Sequence, residues 1–143
     1  MENLQVYLAN KEELEDILDI RKKVFTEEQG IDEKSDKDGL DNMADHLVAK
    51  YDNTYVGCTR IRFLDGKAKL ERLAVLKEYR KLGIGKEIMN STIDYCKLKN
   101  VGEIYFDAQY YLKNYYEKFG FKAKGEPFEE VGIKHIQMYM DLK

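Results

Sequence analysis

The sequence predicts an α/β fold: a mixed, mostly antiparallel sheet flanked by helices, with one parallel strand–helix–strand crossover. Three observations carry this. Short β-prone runs between residues 46 and 76 are joined by the two-residue steps Asp52-Asn53 and Asp65-Gly66, the mark of an antiparallel meander. Apolar residues then recur at helical spacing from 85 to 99, and the β-prone run EIYFDA follows at 103 to 108. A strand that rejoins its sheet through a helix pairs in parallel.

Taken in order, the chain opens with a short strand at 4 to 8, after which Asn10 can cap a helix with Glu13 completing a capping box. That helix is expected over 11 to 25. Leu14, Ile17, Leu18, Val24 and Phe25 form its apolar stripe, and Arg21 falls on the same stripe, where an unpaired charge is costly. Arg21 therefore either snorkels or pairs with a carboxylate, or it anchors an anionic substrate at a cleft. Residues 26 to 45 carry eight acidic side chains and almost no periodicity, so they read as an irregular loop with at most a short helix. The loop is either a solvated surface or an attractor for a cationic amine.

Three strands of the meander follow, at 46 to 51, 55 to 64 and 67 to 76. In the helix from 85 to 99, Ile88, Met89, Thr92, Ile93 and Cys96 share the buried face, with Cys96 a small core hydrophobe. A second helix is expected at 112 to 119, stopped by Gly120, and two late strands near 121 to 124 and 134 to 142.

The 143 residues carry one Pro, no Gly/Ser-rich linker and no repeat, so one domain over 1–143 is expected. A net charge of -3 supplies no basic field for nucleic acid. No apolar stretch is long enough for a membrane span and no leader pattern opens the sequence, so a cytoplasmic location is expected. Cys58 and Cys96 show no metal-ligand spacing and read as reduced thiols, and no metal is expected.

The chemistry concentrates in RKLGIGKE, residues 80 to 87, between a strand and a helix. The first amides of a helix lack intrahelical partners and the helix dipole favours an anion there, so a glycine-opened helix start suits a phosphate. Gly83 and Gly85 permit close approach, while Arg80, Lys81 and Lys86 add cationic side chains. A Walker A loop needs Gly at 80 and Ser or Thr at 87, and a Rossmann fingerprint needs Gly or Ala at 88; Arg80, Glu87 and Ile88 break both patterns. A purely structural turn stays open on this segment alone.

The string LAVLKEYRKLGIGKEIM, with Arg80, Gly83 and Gly85, resembles motif A of the GNAT N-acetyltransferase superfamily, and NYYEKFGF resembles its downstream segment at Tyr116, Glu117, Lys118, Gly120 and Phe121. IRKKVFTEEQGI, His46, DAQ at 107 to 109 and GIKHIQM at 132 to 138 are together similar to the ElaA/YjcF-like branch. Asp107 departs from the smaller or neutral residue expected there. The resemblance implies a GNAT-like sheet and acetyl-CoA as cosubstrate, with its pyrophosphate on the amides of Lys81, Leu82, Gly83, Ile84, Gly85 and Lys86 and the Arg80 side chain beside it. It also implies that Leu73, Ala74 and Val75 offer backbone groups to the pantetheine arm, which takes the place of a strand partner. Gln109 matches a lesser cofactor contact.

Acyl transfer to an amine needs a base for the nitrogen and an acid for the departing thiolate. The resemblance maps the acid onto Tyr116, whose alternative is an aromatic packed in the core. Glu71 and His135 are the two candidates for the base. Strand alternation puts Glu71 on the face of Leu73 and Val75 and turns Arg72 away, and the alternative for Glu71 is a carboxylate paired with Lys69 or Arg62. An imidazole titrates near neutrality, so His135 suits the role, and its alternative is a hydrogen-bonded structural residue. His46 reads as structural. A strand amide near 73 to 75 can serve as oxyanion donor, and neither cysteine belongs to a nucleophile motif.

The expected activity is direct acetyl transfer to a small-molecule or peptide amine in a ternary complex, the alternative being an acyl-CoA-binding sensor or partner module without turnover. The acceptor's identity is not legible in the sequence. If the chain assembles, a homodimer is the default.

Overall fold

The capping box forms as the sequence requires. In the computed structural model, which describes residues 3–143, the Asn10 side chain accepts from the Glu13 amide and Glu13 accepts from the Asn10 amide, both at 3.1 Å. The helix it opens is less uniform than the apolar stripe suggests. A 3-10 turn at Lys11–Glu13 leads into α1 (Leu14–Arg21), and the chain then widens into π-helical turns over Lys22–Glu28. The widened stretch carries the helix past the expected end at 25 and brings Glu28 and Gln29 to the wall of a cavity.

Seven strands form one sheet: β1 (Leu4–Leu8), β2 (Asp45–Tyr51), β3 (Thr54–Leu64), β4 (Lys67–Val75), β5 (Glu103–Gln109), β6 (Lys122–Glu130) and β7 (Ile133–Asp141). Their order is β1-β2-β3-β4-β5-β7-β6. The meander β2-β3-β4 is antiparallel, with left-handed Asp52, Asn53, Asp65 and Gly66 making its two turns. The crossover helix α3 (Ile84–Leu98) returns the chain to β5, which pairs with β4 in parallel. β7 lies between β5 and β6, antiparallel to both, and β6 is longer than expected because it pairs with β7 as far as Glu130.

One face of the sheet packs α1 and its extension: Ile17, Ile20 and Val24 close on Val48, Cys58 and Ala74. The other face packs α3, with Ile84 and Ile88 against Ala49 and Val56, and Met89 and Cys96 against Ile61, Leu70 and Ile104. Cys96 is a core hydrophobe, as expected. α3 sits so close that a methyl group at Gly57 would come within 2.7 Å of Ile88 Cδ1. A short helix α4 (Lys113–Glu117) sets Tyr116 against Phe106, beside Phe121.

Two expectations from strand alternation fail at one place. Between Cys58 opposite Ala74 and Arg60 opposite Glu71, β3 spends two residues where β4 spends three, and Arg72 takes a left-handed φ of 58°. This β-bulge inverts the alternation. Glu71 points to the α1 side with Ala74, away from Leu73 and Val75, and Arg72 joins it there.

The 26 to 45 segment is also not a solvated loop. It holds a short helix α2 (Glu33–Asp36) and a 3-10 turn (Asp41–Met43), and Asp36, Asp38 and Asp41 are consumed by arginines of the fold.

Candidate active site

β4 and β5 part company soon after they meet. Their pairing covers Lys67–Lys69 and Glu103–Tyr105, and beyond it β4 continues to Val75 and β5 to Gln109 with no partner on the facing edge among the described residues. Strands that separate leave backbone donors and acceptors free for a ligand. A cavity of about 870 Å³ occupies the gap and extends under the Lys22–Glu28 turns.

Leu73, Ala74 and Val75 line its β4 wall, and the turn into α3 closes one end with Arg80, Lys81, Gly83, Ile84, Gly85 and Lys86. Leu82 turns out to solvent. Lys81 and Gly83 are left-handed, with φ of 69° and 83°, which bends the chain so that the helix starts abruptly. The first helical hydrogen bond runs from the Glu87 amide to the Gly83 carbonyl at 3.0 Å, and among the described residues no backbone carbonyl accepts from the amides of residues 81 to 86. Unpartnered amides at a helix start are suited to an anion. Arg80 is not a free cation beside them. Its Nε donates to the Val75 carbonyl at 3.0 Å, and its two terminal nitrogens donate to Glu28 at 2.5 and 2.6 Å. On the opposite wall Gln109 donates to Gln29 at 3.1 Å, so Glu28 and Gln29, where the π-helical stretch ends, tie down both sides of the gap.

Tyr116 reaches the cavity from α4. Phe106 and Tyr115 pack edge-to-face on it at 4.8 and 5.2 Å. Burial, with help from Tyr115 and Tyr111, pushes its pKa well above the ordinary phenol value, so the hydroxyl stays protonated. Thr26 Oγ1 and His46 Nδ1 are the buried side-chain polar atoms without partners among the described residues; the Tyr116 hydroxyl, which also has no hydrogen-bond partner among the described residues, therefore opens to the cavity.

His135 lines the same cavity from β7. Its Nδ1 lies 2.7 Å from the Ile133 carbonyl, which can only accept, so Nδ1 carries the proton and Nε2 presents a lone pair in the neutral ring. Phe128 stacks on the ring at 5.9 Å.

Glu71 is on the wall but not free. Arg60 donates to it at 2.8 and 3.1 Å and Arg62 at 2.6 and 3.2 Å, while Lys69 lies 3.9 Å away. Burial alone would raise its pKa; the hydrogen bonds from Arg62 and the charges of Arg60 and Arg62 outweigh that and hold it below the ordinary carboxylate value. A carboxylate so held is a poor proton acceptor.

Arg21 does not reach the cavity, and its assignment as a substrate anchor is corrected. It is fully buried, bonded to Asp36 at 3.1 Å and Asp41 at 2.7 Å. It belongs to a network in which Arg60 also binds Asp38 and Asp41, and Arg72 binds Asp36 and Asp38. Sequence reasoning missed Arg60 as the hub of this floor. The available signal was charge complementarity between the acidic 26 to 45 run and the arginines of β3 and β4, but separations of about twenty to forty residues hid the pairing.

A family model described as acetyltransferase (GNAT) domain matches residues 9–142. The uncharacterized N-acetyltransferase YjcF of Bacillus subtilis (strain 168) is 34% identical over 137 residues, covering 95% of this chain and 98% of YjcF. The crystal structure of Escherichia coli ElaA superposes with a TM-score of 0.82 at 27% identity, covering 95% of this chain and 97% of ElaA. An acyl-CoA N-acyltransferase from Pseudomonas aeruginosa superposes with a TM-score of 0.84 at 28% identity, over 95% of this chain and 98% of that one. Sequence match and parted-strand architecture agree over almost the whole length, and this chain belongs to the GNAT acetyltransferase family.

Proposed function

We propose that the protein transfers the acetyl group of acetyl-CoA directly to an amine of a small molecule or peptide in a ternary complex. The observation that carries this reading is the continuity of one cavity from the unpartnered amides of residues 81 to 86, along the free edge of β4, to Tyr116 and His135. The residues fit the cosubstrate. A diphosphate satisfies the amides, and the space around Gly83 is open, with nothing within 4 Å of an added Cβ. A pantetheine arm satisfies the free edge at Leu73, Ala74 and Val75. Gln109 stands on the facing strand as its second contact.

Bound acetyl-CoA supplies an activated thioester, whose C–S bond breaks as the C–N bond to the acceptor forms. His135 Nε2 takes the proton that the acceptor nitrogen gives up. The Tyr116 hydroxyl gives a proton to the departing sulfur, a role matched to a phenol kept neutral by burial. A main-chain amide between residues 73 and 75 stabilises negative charge on the carbonyl oxygen. Glu71 shapes the floor and leaves the base role to His135, because Arg60 and Arg62 hold its charge.

Calorimetry with acetyl-CoA, ATP and NAD, together with a thiol-release assay over a panel of amines, tests the reading. Selective binding of acetyl-CoA with amine-dependent thiol release is expected. Binding without release for any amine would instead identify an acyl-CoA sensor, and preference for ATP or NAD would remove the reading altogether.

A further inference from the structure

The turn into α3 carries a counter-anion of its own. Arg80 stands beside the unpartnered amides of residues 81 to 86, yet both terminal nitrogens of its guanidinium donate to Glu28, at 2.5 and 2.6 Å. A carboxylate that takes both prongs of the fork makes the same planar, two-bond contact that arginine makes to a phosphate. Glu28 and Arg80 line the same cavity as the turn. Lys81 and Lys86, the other cations of the turn, form no ion pair among the described residues, so the neutralisation is directed at Arg80.

Exposure separates this pair from the arginine network beneath the cavity. Arg21 and Arg60 are fully buried, whereas the Arg80 and Glu28 side chains are 37% and 32% exposed. An exposed pair contributes at most about fivefold to an equilibrium, so Arg80 can change partners at small cost. The Arg80 hydrogen bond outweighs burial and holds Glu28 below the ordinary carboxylate value, which keeps Glu28 charged at neutral pH. The main chain on both sides is anchored. The amides of Gln29, Gly30 and Ile31 donate to the carbonyls of Val24, Thr26 and Phe25 at 3.2, 3.1 and 2.8 Å, and Gln29 also accepts from Gln109. Arg80 Nε is fixed on the Val75 carbonyl at 3.0 Å. Release therefore requires only rotation about the side-chain bonds of Glu28.

We propose that Glu28 is a built-in competitor for the cosubstrate's diphosphate: it holds the Arg80 fork, yields it to the diphosphate, and reclaims it to hasten the departure of coenzyme A. This rests on the acetyltransferase reading above, in which acetyl-CoA enters and coenzyme A leaves with the same diphosphate. Contacts made equally to both do not speed the chemical step, and an overly tight grip delays product release. Glu28 weakens that grip at one cation and leaves Lys81, Lys86 and the amides untouched. The rival role for Glu28 is positioning. Three of the five guanidinium N–H groups are engaged by Val75 and Glu28, and Glu28 could aim the other two at the diphosphate. A competitor and a positioning residue predict opposite signs when the carboxylate is removed.

Calorimetric titration of coenzyme A into the wild type, Glu28→Gln, Arg80→Gln and the double variant reads that sign. We expect Glu28→Gln to bind coenzyme A about fivefold tighter, with the gain in a slower dissociation rate by stopped flow. Glu28→Ala should tighten binding in the same way, so the result does not hang on one replacement. Arg80→Gln should weaken binding about 10-fold in the Glu28→Gln background, the order of one charge-assisted hydrogen bond, and less than about threefold on its own. Weaker binding in both Glu28 variants overturns the proposal in favour of positioning, and unchanged affinity overturns it in favour of a structural brace. Equal effects of Arg80→Gln in the two backgrounds reduce Glu28 to simple charge repulsion, and a gain confined to the association rate removes its role in release. In all of these the acetyltransferase reading stands. A wild type that does not bind coenzyme A overturns both.

Discussion

Arg60→Met tests whether the ion network beneath the cavity holds the site together. Arg60 is fully buried and donates to Glu71 at 2.8 and 3.1 Å, to Asp38 at 2.8 Å through two bonds, and to Asp41 at 3.0 Å. Methionine keeps the unbranched stem, so the change removes charge and hydrogen bonds with little loss of packing. Breaking a buried pair by removing one partner costs about 3–5 kcal/mol. The low end applies, because each carboxylate keeps one cation: Arg62 for Glu71, Arg72 for Asp38 and Arg21 for Asp41. A loss of about 3 kcal/mol corresponds to a fall in Tm of about 10 °C for a chain of this length.

The pH dependence has a definite sign. The Arg60 hydrogen bond holds Asp38 well below the ordinary carboxylate range. Burial opposes the same effect at Asp41, where bonds and charges from Arg21 and Arg60 prevail and lower its pKa. Depressed folded-state pKa values contribute stability that is complete above the unfolded value of about 4 and is lost as pH falls through the folded values. In Arg60→Met the carboxylates titrate closer to their ordinary range, so the deficit is full at neutral pH and narrows below about pH 4. Urea unfolding followed by far-UV circular dichroism from about pH 7 to about pH 3 measures it. A deficit below about 1 kcal/mol at neutral pH, or one that stays constant as the pH is lowered, would refute the reasoning.

Tyr116→Phe keeps the edge-to-face packing and removes the proton donor, so kcat should fall by about 10²-fold or more while calorimetric acetyl-CoA affinity holds. His135→Gln should lower kcat far more than Glu71→Gln, whose main effect is lost stability; the reverse order in steady-state kinetics would return the base role to Glu71. Gly57→Ala should cost about 1–3 kcal/mol in thermal unfolding, since its Cβ would meet Ile88 Cδ1 at 2.7 Å and the Ala74 carbonyl at 3.0 Å. Gly83→Ala meets open space, so its cost of about 1–2 kcal/mol comes from the left-handed backbone alone.

By itself the sequence determined whatever local chemistry controls. The Asn10 capping box, the turns at Asp52-Asn53 and Asp65-Gly66, the boundaries of the meander and the glycine-opened start of α3 depend on residues a few positions apart; the box and turns form, and the boundaries fall within one residue of those expected. The resemblance to the GNAT superfamily was equally legible, because its motifs are contiguous. Tertiary structure alone decided the placement of charge. A single bulge at Arg72 reversed the face of Glu71, a change that period-2 reasoning cannot see because the extra residue carries no compositional mark. The partners of Arg21 and Arg60 lie in a segment whose acidity reads as surface until folding lays it against β3 and β4. Burial then makes each charge depend on partners distant in the chain, and that distance is what hid from the sequence which carboxylates are engaged and which remain open to the cavity.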